Sequence, residues 1–371
     1  MPERDLVVVG GGPAGLAVAI RARQAGLDVT VLDRGRPPID AACGEGLLPD
    51  TLAELAGMGV EPDTGSCAEF FGIRYVCDDL DAEARFAGRR ALGVRRTVLH
   101  LALARRAEDL GAELRWGTQA LGLEGRGVVT QGEVLRARRI VGADGRSSRV
   151  REWGGFGVRP ARRVRHAVRR HFEIAPWTDL VEVHWAEQAE AYVTPIGASE
   201  VGVALLWNGD PARFDALLPR FPRLAARLAG AVPTSRDRGV TRFGARPQAV
   251  VAGNVALVGD AAGGVDPIVG EGLGLAFRQA TALVGAVVAD RIKDYQRACR
   301  RIGRAPRAMA RTLLLLERGV RLRRGAVAAL RADPALFSRL LAYHTGTLPA
   351  YRIGLVAAAR LVARAATGSP S

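Results

Sequence analysis

The chain has 371 residues, 48% of them hydrophobic, enough to bury a large core and build two domains. Cysteines at 43, 67, 77 and 299 show neither a C-x-x-C pair nor a disulfide rhythm, and five scattered histidines lack ligand spacing. A disulfide scaffold and a metal enzyme are therefore set aside, and a reducing, cytoplasmic setting is expected. The net charge of +15 falls almost wholly after residue 290, where seventeen Lys and Arg face three acids, a local balance of +14.

Leu6-Val7-Val8-Val9 reads as a short buried strand and residues 16–25 as a helix. The strand begins almost at Met1, which predicts no secretory leader, and no apolar run has the length of a membrane span. Between strand and helix stands Gly10-Gly11-Gly12-Pro13-Ala14-Gly15. Here Gly10 allows the tight turn, Gly12 lets a pyrophosphate approach the backbone, and Gly15 lets helix and strand pack closely. Free N–H groups at the helix start face the phosphates. A second strand over 28–32 ends at Asp33, eighteen positions after Gly15, where an acid accepts hydrogen bonds from ribose hydroxyls and repels a 2′-phosphate. Arg34 beside it either adds an adenine or phosphate contact or stays in solvent. Arg96-Thr97-Val98-Leu99 starts a helix over 98–110, from which the guanidinium would reach a ribityl or phosphate oxygen. Residues 140–148, Ile-Val-Gly-Ala-Asp-Gly-Arg-Ser-Ser, end a strand and open a short helix.

Residues 163–174, 180–185, 191–195 and 200–207 have the alternating, β-branched look of strands. No helix intervenes, so an antiparallel sheet is expected, joined by 70–77. Its inner face is expected to form a pocket, with Tyr192 and Thr194 as substrate contacts and Trp185 and Trp207 as further lining or plain sheet core. Residues 211–228, broken by Pro219 and Pro222, read as a helix on the pocket's outer wall.

Val255-Ala256-Leu257-Val258 is another buried strand, delivering Gly259-Asp260-Ala261-Ala262-Gly263. Asp260 is placed to accept from a ribityl hydroxyl. The chain then passes Pro267 and Gly270-Glu271-Gly272 into a long apolar helix over 273–289. N–H groups around Gly270, Gly272 and Leu273 would point at a flavin ring, whose reduced charge the positive helix end favours. Two glycine boxes at opposite ends of the chain, with these pieces between them, predict bound FAD.

The basic segment after 290 supports two readings. Leu313 to Leu316, Val320, Leu322, Val327 and Leu330 alternate with Arg311, Arg318, Arg321 and Arg324, with Arg323 and Arg324 interrupting the apolar face. Such a helix would lie on an anionic membrane surface, each cation contributing roughly 1 kcal/mol. Alternatively it is a layer packed on the flavin domain with its arginines in water. No nucleic-acid motif accompanies the charge, so no specific nucleic-acid partner is expected.

The order of boxes, over roughly the first four-fifths of the chain, resembles that of single-component FAD-dependent aromatic hydroxylases and the related geranylgeranyl reductases. The resemblance implies cofactor roles for Gly10, Gly12, Gly15, Asp33, Arg96, Asp144 and Asp260, with the box around Asp144 serving both FAD and a visiting NADH or NADPH. Gly263 and Gly274 stand where the hydroxylases often carry His and Asn, and Cys43-Gly44-Glu45-Gly46-Leu47 is similar to a reductase segment close to the flavin. Tyr192-Val193-Thr194-Pro195 departs from the reductases' Trp-x-Phe-Pro. Cys43 and Glu45 are the expected groups nearest the chemistry, and Pro267 is expected to shape the backbone beside the flavin and offer its carbonyl there.

The fold expected is α/β: a Rossmann-like FAD-binding domain with an inserted antiparallel β-sheet substrate domain and C-terminal helices. Its divisions are 1–68, 90–158 and 245–290 for the cofactor, 69–89 and 159–244 for the sheet, and 291–371 for the basic segment. The reaction implied is NAD(P)H-driven hydroxylation of an aromatic, phenolic or polyketide-type substrate through a flavin C4a-hydroperoxide. Prenyl double-bond reduction and a non-catalytic or electron-transfer flavoprotein are the alternatives.

Overall fold

The computed structural model describes residues 3–159, 164–241, 246–317, 319–346 and 348. A parallel core runs through Arg4–Val9, which pairs on one side with Val29–Asp33 and on the other with Val134–Gly142. Val255–Leu257 extends the sheet beyond Val134–Gly142, and Glu113–Trp116 extends it beyond Val29–Asp33. Leu6, Val7 and Val8 have no exposed surface, as expected of a strand covered on both faces. Helix Pro13–Gln24 packs against Gly272–Val288 and Arg96–Asp109. That packing depends on Gly15: a Cβ there would lie 1.8 Å from the Gly10 carbonyl oxygen. Gly10 itself has φ +112°, a conformation open to glycine and strained for other residues.

A second sheet runs in the order Val232–Pro233, Arg165–Glu173, Glu200–Asn208, Ala189–Gly197, Val181–Ala186, Gly72–Cys77, Leu80–Arg85, with Arg238–Thr241 also beside Arg165–Glu173. The expected antiparallel character needs one correction, because Val181–Ala186 and Gly72–Cys77 run parallel. The chain leaves the sheet between them to build cofactor-binding elements, so no hairpin dictates their direction. The strand expected over 70–77 breaks at Phe71, and Cys67–Phe70 joins Ala91–Val94 and Gly46–Leu47 in a small separate sheet. Arg163, the expected start of the first long strand, lies outside the described residues.

Alternation along these strands divides the sheet's faces. Val193, Val203, Leu205 and Trp207 turn to one face, covered by Phe214, Leu217, Phe221 and Leu224. The broken helix of 211–228 therefore covers the face away from the pocket instead of walling it, since its apolar side chains match that hydrophobic face. The opposite face carries Tyr192, Thr194 and Leu206 and fronts the cavity.

The basic segment also differs from its expected place. Ile292–Ile302 lies on Gly272–Val288, but Val320–Ala332 and Pro334–His344 cross to the sheet strands Gly72–Cys77 and Leu80–Arg85. Leu313, Val327, Leu330, Phe337 and Leu341 are buried there with Val181, Val183 and Trp185. Most of the apolar stripe is thus consumed by packing, while Leu315 and Val320 stay exposed. Arg323 is buried, Arg324 pairs with Asp78 at 2.9 Å and Asp79 at 2.7 Å, and Arg318 lies outside the described residues. Among the described residues no helix is long and apolar enough to cross a membrane.

Candidate active site

A cavity of about 970 Å³ lies between the two sheets and the C-terminal helices. At its polar end, Gly12 caps helix Pro13–Gln24 without a side-chain hydrogen bond, leaving first-turn N–H groups for a ligand. Ala14 lines the cavity beside Gly12 and Pro13. The Arg96 guanidinium approaches within 3.9 Å of where a Gly12 Cβ would be, and its buried Nε has no partner among the described residues. Burial pushes Arg96 below the usual arginine range, so an anion placed there relieves a real cost. Asp33 ends its strand accepting from the Gly11 and Gly35 N–H groups, each at 2.7 Å. His100, unmarked in the sequence, is buried with Nε2 2.9 Å from the Gly11 carbonyl and fixes the same turn. Arg34 is exposed and does not line the cavity.

Asp144 accepts from the Arg149 and Val150 N–H groups at 2.8 and 3.1 Å, capping the short helix Arg149–Trp153. Its neighbours Ala143, Gly145 and Arg146 face the cavity, and Arg146 reaches Asp260 at 3.1 Å. Gly259 has φ +63° and donates its N–H to Gln279 Oε1 at 2.8 Å, which sets the turn that presents Asp260. Pro267 opens a single turn, Pro267–Val269, capped by Asp266. The Pro267 carbonyl accepts from the Gly270 N–H at 2.9 Å, which occupies that donor and one of the carbonyl's two lone pairs, and Gly272 and Leu273 open the following helix. Nothing stands within 4 Å of where a Cβ would be at Gly44, Gly145, Gly270 or Gly272. Open glycine faces, an orphaned guanidinium and an uncapped helix start together fit a dinucleotide carrying a planar ring.

The Cys43–Gly46 loop closes the cavity from the other side. Glu45 has φ +60°, is 2% exposed and accepts from the Arg96 N–H at 2.9 Å. Its other oxygen meets His171 Nε2 at 2.6 Å, and Arg169 lies at 3.8 Å. Arg169 donates to His171 Nδ1 at 3.2 Å and to Asp40 at 2.5 Å. Glu45 is thus a buried brace linking cofactor helix to substrate sheet through the Arg96 N–H and His171 Nε2. Cys43 lines the cavity, and burial pushes its thiol up, so it stays protonated.

Tyr192 and Thr194 both line the cavity and brace its loops: Tyr192 Oη donates to the Ile268 carbonyl at 2.6 Å and Thr194 Oγ1 to the Gly44 carbonyl at 2.8 Å. Burial raises the Tyr192 phenol well above its ordinary value and keeps it a donor. Trp185 and Trp207 do not line the cavity; they pack on Tyr75 and His166. The apolar end is built by Leu313, Leu316, Leu330, Phe337 and Leu341 from three C-terminal helices. Arg165 is buried with Glu190, Asp266 and Glu317, tying the C-terminal end of helix Arg304–Leu316 to the Pro267 turn. At the opposite corner Glu271 pairs with Arg278 at 2.9 Å and faces His344 at 3.4 Å. Burial and Asp50 push Glu271 up to about 7, and burial pushes His344 down to about 4.

A family model described as FAD binding domain matches residues 3–212. The menaquinone reductase of Mycobacterium tuberculosis is 30% identical over 300 residues, 72% of each chain. Digeranylgeranylglycerophospholipid reductase 1 of Methanothermobacter thermautotrophicus is 28% identical over 80% of this chain and 82% of its own. Among solved structures, a flavoprotein/dehydrogenase from Cytophaga hutchinsonii superposes with TM-score 0.82 at 17% identity, covering 99% of both chains. A 2-methyl-3-hydroxypyridine-5-carboxylic acid oxygenase superposes with TM-score 0.71 at 25% identity, covering 86% of this chain and 94% of that one.

Proposed function

The chain belongs to the FAD-binding-domain family of FAD-dependent oxidoreductases, and from that premise we propose that it is an NAD(P)H-using monooxygenase of an aromatic or phenolic compound carrying an apolar tail. The observation that carries this reading is the two-ended cavity, polar at Arg96 and the Cys43–Glu45 loop, and apolar where Leu313, Leu316, Leu330 and Phe337 converge. Gly12, Pro13, Ala14, Arg96, Asp260, Gly272 and Leu273 would hold FAD, with Asp33 at its ribose. Bound FAD would supply the electron transfer and oxygen chemistry. The protein's part is to orient the ring, exclude water and keep nearby groups in fixed protonation states. Tyr192 and Thr194 tether the two loops to the sheet, the Glu45–His171–Arg169 brace fixes the polar wall, and the C-terminal helices close the apolar one.

Double-bond reduction in a prenyl chain is the second reading, favoured by Gly263, by the Cys43-Gly44-Glu45-Gly46 segment, and by the activities named for the reductase relatives. One experiment separates the two. Phenolic lipids and prenyl lipids are screened for stimulated NAD(P)H oxidation, with oxygen uptake and product mass recorded. A gain of one oxygen with oxygen consumption supports hydroxylation; a gain of two hydrogens without it supports reduction.

A further inference from the structure

Helix Arg304–Leu316 forms one rim of the cavity. Leu313 and Leu316 turn inward, whereas Ala308 and Thr312 line the cavity and are exposed, so the cavity opens along this helix. Arg304, Arg311 and Leu315 stand three or four residues from Ala308 and Thr312 and share their exposed face, Leu315 being 42% exposed. Arg307 packs its guanidinium over Gly303, and its buried Nε has no partner among the described residues. Across the rim, Arg246 lies against Gly263, its Cγ 3.2 Å from where a Cβ would be, next to cavity-lining Gly264.

These arginines differ from those of the segment that stand in ion pairs. Arg324 is paired with Asp78 and Asp79, and Arg291 and Arg297 share Asp294. Arg246 instead feels Arg307 and Arg311, and burial together with their like charge pushes it below the usual arginine range. Arg307 is lowered by burial and by Arg311. Cations held together at an apolar opening, with no carboxylate among them in the described residues, call for an anion from outside the chain.

We propose that this rim docks on an anionic lipid bilayer, lipid phosphates seating among Arg246, Arg307 and Arg311 and Leu315 entering the headgroup level, so that a lipophilic substrate passes from bilayer to cavity. The proposal rests on the apolar-tailed substrate reading above. It moves the basic surface from helix Val320–Ala332, whose apolar side is packed, to the cavity mouth. The attraction reaches about 8 Å at physiological salt, so it acts only on a surface in near contact.

FAD-loaded full-length protein is sedimented with phosphatidylcholine vesicles, with and without phosphatidylglycerol. Binding is expected only with phosphatidylglycerol and is lost as salt rises. The double variant Arg307→Glu, Arg311→Glu is expected to lower binding at least roughly tenfold with FAD content unchanged. The same charge reversal away from the rim, Arg300→Glu with Arg301→Glu on Ile292–Ile302, should keep most of it. Wild type ignoring phosphatidylglycerol vesicles at low salt overturns the proposal, as does equal loss in both double variants. So does a rim variant that raises the NADPH KM while vesicle binding stays unchanged, since the site would then serve a soluble dinucleotide. Turnover of short, soluble phenols without vesicles tests the chemical reading separately.

Discussion

The cofactor end and the lid end of one cavity are built on opposite plans. At the cofactor end, Gly10 to Gly15, Asp33, Arg96 and Asp260 sit at strand ends and helix starts within short continuous motifs, so local backbone geometry does most of the positioning. At the lid end, no motif exists: Leu313, Leu330 and Phe337 come from three helices and meet strands far away in sequence. The first plan tolerates change between motifs and not within them. The second spreads its function over many contacts, each replaceable at modest cost.

The sharpest test of the cofactor end's plan is at the brace that ties its helix to the substrate sheet. Glu45→Ala leaves Arg169 its pair with Asp40 but takes the acceptor from the Arg96 N–H and from His171 Nε2, and should cost about 1–3 kcal/mol of stability for each donor, measured by denaturant unfolding. Little loss would mean the cofactor helix and the substrate sheet are not held together through this cluster.

The Glu271–His344 contact, which pins the lid to the cofactor helix, predicts a pH signature. Glu271 is raised from 4.5 to about 7, so alone it would lower stability as pH rises through that window, because the folded state keeps a proton the unfolded state releases. His344, lowered from 6.5 to about 4, does the reverse, losing stability as pH falls through its window. The two slopes oppose each other in the wild type. Glu271→Gln should unmask the histidine and make the variant lose about 3 kcal/mol relative to wild type between pH 6.5 and 4. A parallel pH profile for the two proteins would remove the pair from the account.

Asp33→Ala should weaken FAD binding by about 1–3 kcal/mol, read by fluorescence titration, since ribose hydroxyls lose a charged acceptor. An unchanged affinity would place the ribose contact elsewhere. The smallest effect is expected at Arg324→Ala, where an exposed pair with Asp78 and Asp79 is lost; thermal unfolding should register no more than about 1 kcal/mol.

These differences also explain what the sequence could reveal. Strand Arg4–Val9, the Gly10 turn and Asp33 were legible because spacing along a chain is itself the geometry of a strand–turn–helix unit. The brace was partly legible: Arg165, Arg169 and His171 alternate along one strand and must share a face. Their partners Asp40, Glu45 and Glu190 come from other segments, which periodicity does not reveal. The lid was misread because an amphipathic helix shows that one face is apolar but not which neighbour covers it. The parallel pairing of Gly72–Cys77 with Val181–Ala186 was hidden for the same reason.

The central claim is that the C-terminal helices form the substrate end of the flavin cavity. A homologous series of alkyl phenols differing only in chain length tests it directly, with steady-state NAD(P)H oxidation measured for wild type and for Leu316→Trp. The indole should shorten the longest chain accepted while FAD content and turnover of the shortest phenol stay as in wild type. Identical chain-length preference in the two proteins, with FAD retained in both, would contradict it.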